Sequence, residues 1–433
     1  MRTSLRGLPP APLIYAAAVL VAGWPLWSGA AVFAFDDFVY WFAPARRLVE
    51  QALARGAVAE WDPGVGVGQP LVLNAAAAPL YPLNVLALLG DWPLGLQRMI
   101  GLHLVLGGLL CYALARDLGA RPAAALVAAA GFGFGGPVMA CAQENAYHLF
   151  GLTWVPLCLL CFRRALRGEG WRWGGGAALA MALVLYGGEP LGWYFTGALL
   201  LALTVAFAAS GACPPRRAAA ALLGVVALAV VLGAAQWVSS TVGLADSARG
   251  RGLPAAERLI FSLHPLRLLG LALPLFGGTA APVNTAWAPG LDGSHRVWFV
   301  TIYLGLAPLV FAPAALRRGR PFAAALAVAS LLFAWLALGR FGGLYAVADA
   351  VVPGLSLLRY PEKCLAPLAV TLPVLGALGL EAWLGGAGRR RVAAGLVVAG
   401  AVGLVAWLGA SAFGPAIAAV APIPDVVPAA VLR

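Results

Sequence analysis

The sequence predicts an all-α, polytopic integral membrane protein with about eleven transmembrane helices. Of its 433 residues, 62% are hydrophobic and only 11% are charged, and the mean hydropathy is +0.88. Soluble domains carry about 25% charged residues, and no water-soluble fold of this size can hide so much apolar side chain. Apolar runs of bilayer length alternate with short arginine clusters, so we treat residues 1–433 as a single transmembrane domain.

The first predicted span, 12–34, follows a short basic start and stays apolar up to Phe35. A cleaved signal peptide has a shorter apolar core, so we interpret this span as an uncleaved anchor. The other spans are predicted at 98–115, 123–142, 147–162, 174–189, 191–209, 218–240, 297–315, 321–338, 364–384 and 392–413.

The net charge of +12 is carried mainly by arginines in the short connections between spans. No basic helix or basic patch with interleaved aromatics is present, so the pattern argues against nucleic acid as a partner. The positive-inside rule instead places these connections in the cytoplasm, with the N-terminus inside and the C-terminus outside. The clusters comprise Arg116, Arg121, Arg163, Arg164, Arg167, Arg172, Arg216, Arg217, Arg317, Arg318, Arg320, Arg389, Arg390 and Arg391.

Most carboxylates fall on the opposite face, in three long loops at 35–97, 241–296 and 340–363. Only Asp117, Glu169 and Glu381 are expected on the arginine side. This asymmetry predicts that any chemistry takes place on the extracytoplasmic side. Nucleotide sugars and ATP are absent there, so a transferase on that side needs a lipid-carried donor.

The first long loop begins with two adjacent carboxylates, Asp36 and Asp37, directly after an apolar helix. Such a pair is costly at a bilayer edge, which marks it as a functional candidate. The alternative is a pair that merely ends the helix in water. Residues 44–56 then predict a helix lying on the membrane surface. We expect its apolar face at Ala45, Leu48, Val49, Ala52 and Leu53 and its polar face at Arg46, Arg47, Glu50, Gln51 and Arg55.

Histidine and cysteine do not predict a metal site. Cys158 and Cys161 form a C-x-x-C within an apolar run without a second pair, which favours core packing over zinc. His103 is expected to be a core residue that is hydrogen-bonded between helices. His148 and the remaining two histidines are too scattered along the sequence to argue a zinc site.

A series of short motifs runs from residue 35 to about 380. They are Asp36-Asp37, Tyr40, Pro44, Trp61-x-Pro63, Gly68-x-Pro70, Tyr81-Pro82-Leu83-Asn84, Asn145, Trp154-x-Pro156-Leu157, Gly188-Glu189-Pro190, Ser247-x-Arg249 and Arg359-Tyr360-Pro361-x-Lys363. Each motif is weak alone, but their order and spacing are more specific. Together they resemble the YfhO-like bacterial membrane proteins.

That family is similar to the GT-C glycosyltransferases, which implies a multi-pass enzyme of the bacterial inner membrane. Such enzymes move a sugar from a polyprenyl phosphate to an acceptor outside the membrane, so the implied partners are membrane lipid, a polyprenyl-phosphate sugar and a cell-envelope glycan or lipid. Asp62 departs from the asparagine usual in the family. Members are often longer, which leaves the acceptor side open.

The resemblance implies that Asp36 or Asp37 acts as the catalytic base, with no choice between them at this stage. The pair has the chemistry to hold a divalent metal instead, and we leave that use open. No cofactor beyond the lipid-linked donor is implied.

Arg359 and Lys363, which flank a proline at the outer end of a span, are expected to bind the lipid phosphate. Lys363 is the only lysine in the chain, which favours function over snorkelling to lipid headgroups. Tyr360 is expected to stack on a sugar or prenyl unit. Trp61 and Asp62 are further substrate-binding candidates.

Two more polar positions are predicted at outer helix ends. Glu189 is either a functional group or a solvated turn. Asn145, with Glu144 beside it, is a candidate to bind a sugar hydroxyl, although a structural role is the stronger interpretation. Asp246 and Arg249 are expected to form a structural pair.

Two other functions compete with the glycosyltransferase. A transporter or flippase of lipid-linked sugars predicts charged residues in the middle of spans, and the sequence has few. A non-catalytic envelope assembly protein predicts that Asp36 and Asp37 are replaceable together.

Overall fold

The computed structural model describes residues 11–34, 37–245, 247–274, 276–278, 288–292, 297–316 and 320–420. Helices dominate the described chain, and the predicted all-α class is confirmed. The α-helices are α1 Ala11–Ala22, α2 Trp24–Ser28, α3 Ala43–Ala54, α4 Leu94–Asp117, α5 Pro122–Gly133, α6 Gly136–Glu144, α7 Tyr147–Leu152, α8 Val155–Leu166, α9 Trp171–Tyr186, α10 Pro190–Ala209, α11 Pro215–Leu232, α12 Ala234–Ala245, α13 Ala255–Arg258, α14 Pro289–Asp292, α15 Leu306–Ala315, α16 Pro321–Ala337, α17 Leu344–Val351, α18 Leu368–Leu384 and α19 Arg389–Val420.

Non-α elements are short and lie mainly in the predicted outer loops. A π-helical turn, Phe38–Phe42, runs directly into α3. An antiparallel two-residue pair, β1 Trp61–Asp62 and β2 Gln69–Pro70, pairs Trp61 with Pro70 and Asp62 with Gln69. The 3-10 helices are Leu71–Leu73, Ala75–Ala77, Pro82–Leu88, Ala248–Arg251, Pro265–Leu271, Gly339–Phe341, Leu355–Leu357 and Pro361–Leu365.

Six helical segments of the described chain are long and apolar enough to cross a membrane. They support a multi-pass membrane protein, whereas the predicted total of eleven spans stays a prediction. The six are Leu94–Asp117, Pro122–Glu144, Tyr147–Leu166, Pro190–Ala209, Pro215–Leu232 and Pro361–Leu384, and shorter apolar helices lie at Ala11–Ala22, Leu306–Ala315 and Pro321–Ala337.

The span predicted at 218–240 is interrupted at Gly233, between α11 and α12. Two other predicted spans have the wrong bounds. The first is interrupted at Gly23 and ends at α2, because Gly29 adopts a left-handed conformation that closes the helix. The span predicted at 297–315 is helical only in α15. Its first part is irregular and non-helical. There the Gly136 N–H donates to the Tyr303 carbonyl at 2.6 Å, and Gly305, with a φ of 89°, precedes the first residue of α15.

The most buried span, Pro361–Leu384, is the centre of the bundle, and its helix α18 packs against α15, α5 and α16. Two glycines permit the close approach of α18 to α15. A Cβ at Gly379 would overlap the carbonyl oxygen of Phe311, and one at Gly376 would lie 2.5 Å from the Cα of Pro308. Small residues are the usual means of close helix packing in membranes.

The arginine-rich ends of the spans are tied together by ion pairs. Asp117 at the end of α4 accepts hydrogen bonds from Arg163 and Arg164 on α8. Glu381 on α18 binds Arg121 bidentately, with N–O distances of 2.9 Å. The few carboxylates predicted on this side therefore serve to fasten helix ends.

Helix α3 forms at the predicted position, but one assignment of its faces is wrong. Arg46, expected on the polar face, is only 2% exposed. Its guanidinium donates to the Ala77 carbonyl at 3.0 Å and to Asn84 Oδ1 at 2.7 Å. Burial lowers the pKa of Arg46 to about 10, so it stays charged at neutral pH and fastens α3 to the rest of the first loop. That α3 lies on the membrane surface stays a prediction.

Candidate active site

Asp37, at the start of the first predicted outer loop, contacts the turn between α6 and α7. Asp37, half-buried, immediately precedes the π-helical turn Phe38–Phe42. The amide Nδ2 of Asn145 donates to Asp37 Oδ2 at 3.2 Å, and Asn145 itself is 3% exposed. The structure thus joins two predicted site residues that are 108 positions apart. Asp36 lies outside the described residues.

A second carboxylate, Glu144, is buried beside this contact. The charges of Asp37 and Glu362 both act on it. The sequence favoured no function for Glu144, but its position makes it part of an acidic group with Asp37. Within the described residues, no group of three or more histidine, cysteine or acidic side chains has the arrangement of a metal site.

Three cations lie near this acidic group, and we call Arg249, Arg359 and Lys363 the cation cluster. The charges of Arg249, Arg359 and Asp37 all act on Lys363. Desolvation, and next the positive charge of Arg359, lowers the pKa of Arg249. Such crowding of like charges favours the binding of an anion. Asp246, the expected partner of Arg249, lies outside the described residues.

The second and third outer loops together hold the cation cluster. Arg359 Nη1 lies 3.1 Å from Glu257 Oε1, and Arg258 Nη2 lies 2.7 Å from Asp349 Oδ2. These ion pairs connect segments about a hundred residues apart in sequence, which the predicted loops 241–296 and 340–363 contribute separately.

An aromatic wall, formed by Phe261, Trp298 and Tyr360, stands against the cation cluster. The ring of Tyr360 is 4.7 Å from that of Phe261 and 5.1 Å from that of Trp298. Lys363 Nζ lies 4.3 Å from the centre of the Trp298 ring, and Arg359 Cζ lies 4.6 Å from that of Tyr360. Cation–π contacts of this kind hold the charges without neutralising them.

The backbone conformation of Tyr360 and Pro361 explains the motif that carries Arg359 and Lys363. Tyr360 has a φ of 75°, unusual for a bulky residue, and its N–H donates to the Arg258 carbonyl at 3.0 Å. Pro361 then opens the 3-10 helix that leads into α18. The strained residue therefore sits between the two predicted phosphate ligands.

Glu362, which lies in the sequence between Arg359 and Lys363, has a structural role. It is fully buried, and Arg267 Nη2 lies 2.7 Å from its Oε1. Its two carboxylate oxygens accept the N–H groups of Trp298 and Phe299, each at 3.3 Å. Glu362 consequently fixes the irregular segment that supplies Trp298 to the aromatic wall.

Glu189 is held at the start of α10 by the local sequence Gly188-Glu189-Pro190. Gly188 adopts a φ of 97°, which disfavours any other residue. The Glu189 side chain caps α10 by accepting the Gly192 N–H at 3.2 Å, and Pro190 suits the first helical position. The other carboxylate oxygen pairs with His148 Nδ1. Both side chains are buried, so Glu189 is not a solvated turn.

A small cavity of about 20 Å³ lies beside His148, Glu189 and Lys363. Its lining is mostly apolar, from α7, α8, α10 and the start of the last central span, and its polar groups are few. Its chemistry-bearing residues are Cys141, His148, Glu189, Trp298 and Lys363. An apolar cavity with a few polar groups is the usual form of a ligand site.

Trp61 and Asp62 lie apart from this cluster in their described contacts. Asp62 Oδ1 accepts the Gly64 N–H at 2.8 Å and stabilises the turn between β1 and β2. The Trp61 ring covers Gly68, where a Cβ would lie 2.5 Å from it. These contacts shape the first loop, and a substrate role for the two residues stays a prediction.

The sequence did not single out His148, Trp298 or Arg267. His148 is one isolated histidine in the sequence, and Trp298 lay within a predicted span. Only the proximity of helix ends that are distant in sequence brings them together. His103, by contrast, is confirmed as a core residue, with Nε2 2.7 Å from the Tyr81 hydroxyl and Nδ1 2.7 Å from the Met99 carbonyl.

No protein-family model matches the chain, and no curated protein matches it in sequence. The YfhO-like resemblance is therefore not confirmed. Two cryo-EM structures of arabinofuranosyltransferase AftD from mycobacteria, one of them a variant, are similar in fold. They give TM-scores of 0.50 and 0.52 at 15% and 17% identity, over 85% and 92% of this chain.

The chain shares its fold with part of AftD. It spans only 25% to 26% of the length of the AftD chains, and identities this low establish the shared fold alone. The chemistry therefore has to be argued from the site.

Proposed function

We propose that this protein is a membrane glycosyltransferase that moves a sugar from a polyprenyl-phosphate donor to a cell-envelope glycan or lipid. The observation that carries the proposal is that Asn145 holds Asp37, whose charge acts on Lys363 of the cation cluster, and that Lys363 lines an apolar cavity. In a GT-C-like fold, this arrangement supplies both a base and an anion site.

The proposed reaction needs a proton acceptor and a site for a departing phosphate. The acceptor's hydroxyl oxygen attacks the anomeric carbon, and its proton passes to the Asp37 carboxylate. The bond between the anomeric carbon and the phosphate oxygen breaks, and polyprenyl phosphate leaves with the electron pair. The cation cluster stabilises the charge on that phosphate.

A lipid-carried donor suits the location of the site. The turn holding Asn145 and His148, the Gly188-Glu189 turn and Lys363 all lie where consecutive apolar segments reverse direction, at the opposite end from the Arg163 and Arg164 ion pairs. With the arginine ends in the cytoplasm, the cluster faces outward. A phosphate on a membrane lipid reaches such a position while its prenyl chain stays in the bilayer.

Mass spectrometry of lipids that copurify with the protein tests this function and identifies the sugar at the same time. Wild type is compared with Asp37→Asn, and Asp91→Asn, an exposed carboxylate in the same loop, is the matched control. We expect an intact polyprenyl-phosphate sugar on Asp37→Asn and spent polyprenyl phosphate on wild type and the control. Arabinofuranose is the first sugar to look for, because AftD is an arabinofuranosyltransferase.

The alternatives give different results in the same experiment. The same intact lipid-linked sugar on wild type and Asp37→Asn would indicate a transporter or flippase. Absence of any polyprenyl lipid from both would indicate an envelope assembly protein. Either result would overturn the transferase.

A further inference from the structure

His148 presents a buried hydrogen-bonding atom that nothing in the described structure satisfies. The residue is 7% exposed, and among the described residues its Nε2 has no hydrogen-bond partner. The same side chain lines the small cavity that Glu189 and Lys363 also line. A buried polar atom without a partner costs free energy comparable to a lost hydrogen bond, so its presence in a cavity points to a ligand.

The chemistry of that atom follows from the pairing of the other ring nitrogen. Nδ1 contacts the Glu189 carboxylate, and a carboxylate accepts a proton-bearing nitrogen. The proton therefore resides on Nδ1, and Nε2 carries a lone pair. His148 is an acceptor towards the cavity.

Glu189 is itself too constrained to turn away from His148. Its other oxygen caps α10 through the Gly192 N–H. Two glycines leave room for the side chain, since a Cβ at Gly151 would lie 2.7 Å from Glu189 Cβ and one at Gly192 would lie 2.5 Å from Glu189 Cγ. Glu189 thus acts as a positioning residue for the imidazole.

His148 and Lys363 contact the same indole. The His148 ring lies 5.7 Å from the Trp298 ring at nearly a right angle, and Lys363 Nζ lies 4.3 Å from the ring centre. A lone pair and a cation thus lie around one aromatic side chain in one cavity. A molecule with a hydroxyl next to an anionic group matches both.

We propose that His148, positioned by Glu189, accepts a hydrogen bond from a hydroxyl of the donor's sugar, while Lys363 contacts the adjoining phosphate. The inference rests on the proposed function and names the sugar-binding part of the site. The lone pair on His148 Nε2 repels an unprotonated phosphate oxygen. A prenyl chain has no hydrogen-bond donor that could bind this nitrogen. The sugar is the only part of such a donor that supplies an O–H.

The test compares the binding of two kinds of lipid to the purified full-length protein in nanodiscs. One probe is undecaprenyl phosphate without a sugar. The others are undecaprenyl phosphates bearing arabinofuranose, mannose or glucose. The variants are His148→Ala, His148→Gln, Glu189→Gln and, as matched control, His264→Gln, whose ring caps the Pro265–Leu271 helix outside the site.

We expect His148→Ala to weaken the best sugar-bearing lipid about tenfold, the effect of about one lost hydrogen bond, and to leave undecaprenyl phosphate unchanged. His148→Gln, which keeps an acceptor, recovers part of the loss. Glu189→Gln gives a smaller loss that is also confined to sugar-bearing lipids. Lys363→Ala weakens every lipid, and His264→Gln weakens none.

Equal weakening of bare and sugar-bearing lipids by His148→Ala would overturn the inference, as would unchanged binding of both. If His148→Ala fails to give a monodisperse protein, the same comparison rests on His148→Gln and Glu189→Gln, and undiminished sugar preference in both overturns it. In these cases the proposed function survives if wild type still binds sugar-bearing lipid. Failure of wild type to bind any of the lipids overturns both.

Discussion

Asn145 donates its side-chain amide to Asp37 across 3.2 Å, and so connects the first outer loop to the turn between α6 and α7. Because the amide is buried, it holds Oδ2 of the Asp37 carboxylate in a fixed place. A base must lie within hydrogen-bond reach of the proton that it removes. We therefore interpret Asn145 as the residue that positions Asp37.

Loss of this hydrogen bond should affect turnover more than donor binding. We expect Asn145→Ala to lower kcat about fivefold, in keeping with one hydrogen bond of about 1 kcal/mol, with KM for the donor unchanged. Asn74→Ala, which removes a local loop contact to the Ala76 N–H, is the control and should leave kcat unchanged. A rise in KM without a fall in kcat would show that Asn145 binds donor instead.

Arg359 is expected to bind phosphate although it already has a carboxylate partner. Arg359→Ala should weaken donor binding at least tenfold, because a charge-assisted contact to phosphate is lost. Glu257→Gln removes the competing partner at 3.1 Å and should preserve or strengthen binding. Titration of undecaprenyl phosphate measures both, with Arg340→Ala as a cation control. Weaker binding in Glu257→Gln would mean that the ion pair serves to place Arg359.

The buried Arg267–Glu362 ion pair should contribute strongly to the stability of the folded protein around the aromatic wall. Glu362→Gln leaves Arg267 buried without its counter-charge, and breaking a buried pair costs about 3–5 kcal/mol. We expect a fall in Tm of at least several degrees in detergent. Glu381→Gln, which breaks the exposed pair with Arg121, should shift Tm far less. Equal shifts would contradict the structural role assigned to Glu362.

Glu50 on α3 gives a pH-dependent prediction. Desolvation raises its pKa above the ordinary value, although Arg46 and Arg47 act in the opposite direction. Since the folded state then holds the proton more tightly than the unfolded state, stability falls as pH rises through the folded-state pKa. Glu50→Gln should raise Tm at pH 7.5 and have no effect below pH 4. A lower Tm for the variant at pH 7.5 would show that the Arg46 attraction dominates.

Much of the architecture followed from the sequence because apolar length and arginine position are local signals. The breaks at Gly23 and Gly233 and the non-helical chain before Gly305 were not predicted. These features depend on packing between distant segments. A short non-helical segment with apolar side chains cannot be told from a helix by composition alone.

In the site, too, the sequence predicted residues that lie in short motifs but not residues whose roles depend on contacts between distant segments. The order of short motifs predicted Asp37, Glu189, Arg359 and Lys363 as site candidates, and Asn145 as a weaker one. His148 and Trp298 were not predicted as site residues. Their roles come from contacts with Glu189 and Lys363, which are distant from them in the sequence. Arg46 was assigned to the wrong face, since its partners at Ala77 and Asn84 belong to the folded loop.

Turnover by wild type and Asp37→Asn shows whether Asp37 is the base of a glycosyl transfer. Purified protein in proteoliposomes receives undecaprenyl phosphates bearing arabinofuranose, mannose or glucose together with an envelope extract as acceptor, and released undecaprenyl phosphate is quantified. We predict release by wild type and a loss of about 10²–10⁴-fold in Asp37→Asn, the usual contribution of a general base, with full activity in Asp91→Asn. Release by Asp37→Asn at the wild-type rate would contradict the assignment of Asp37 as the base.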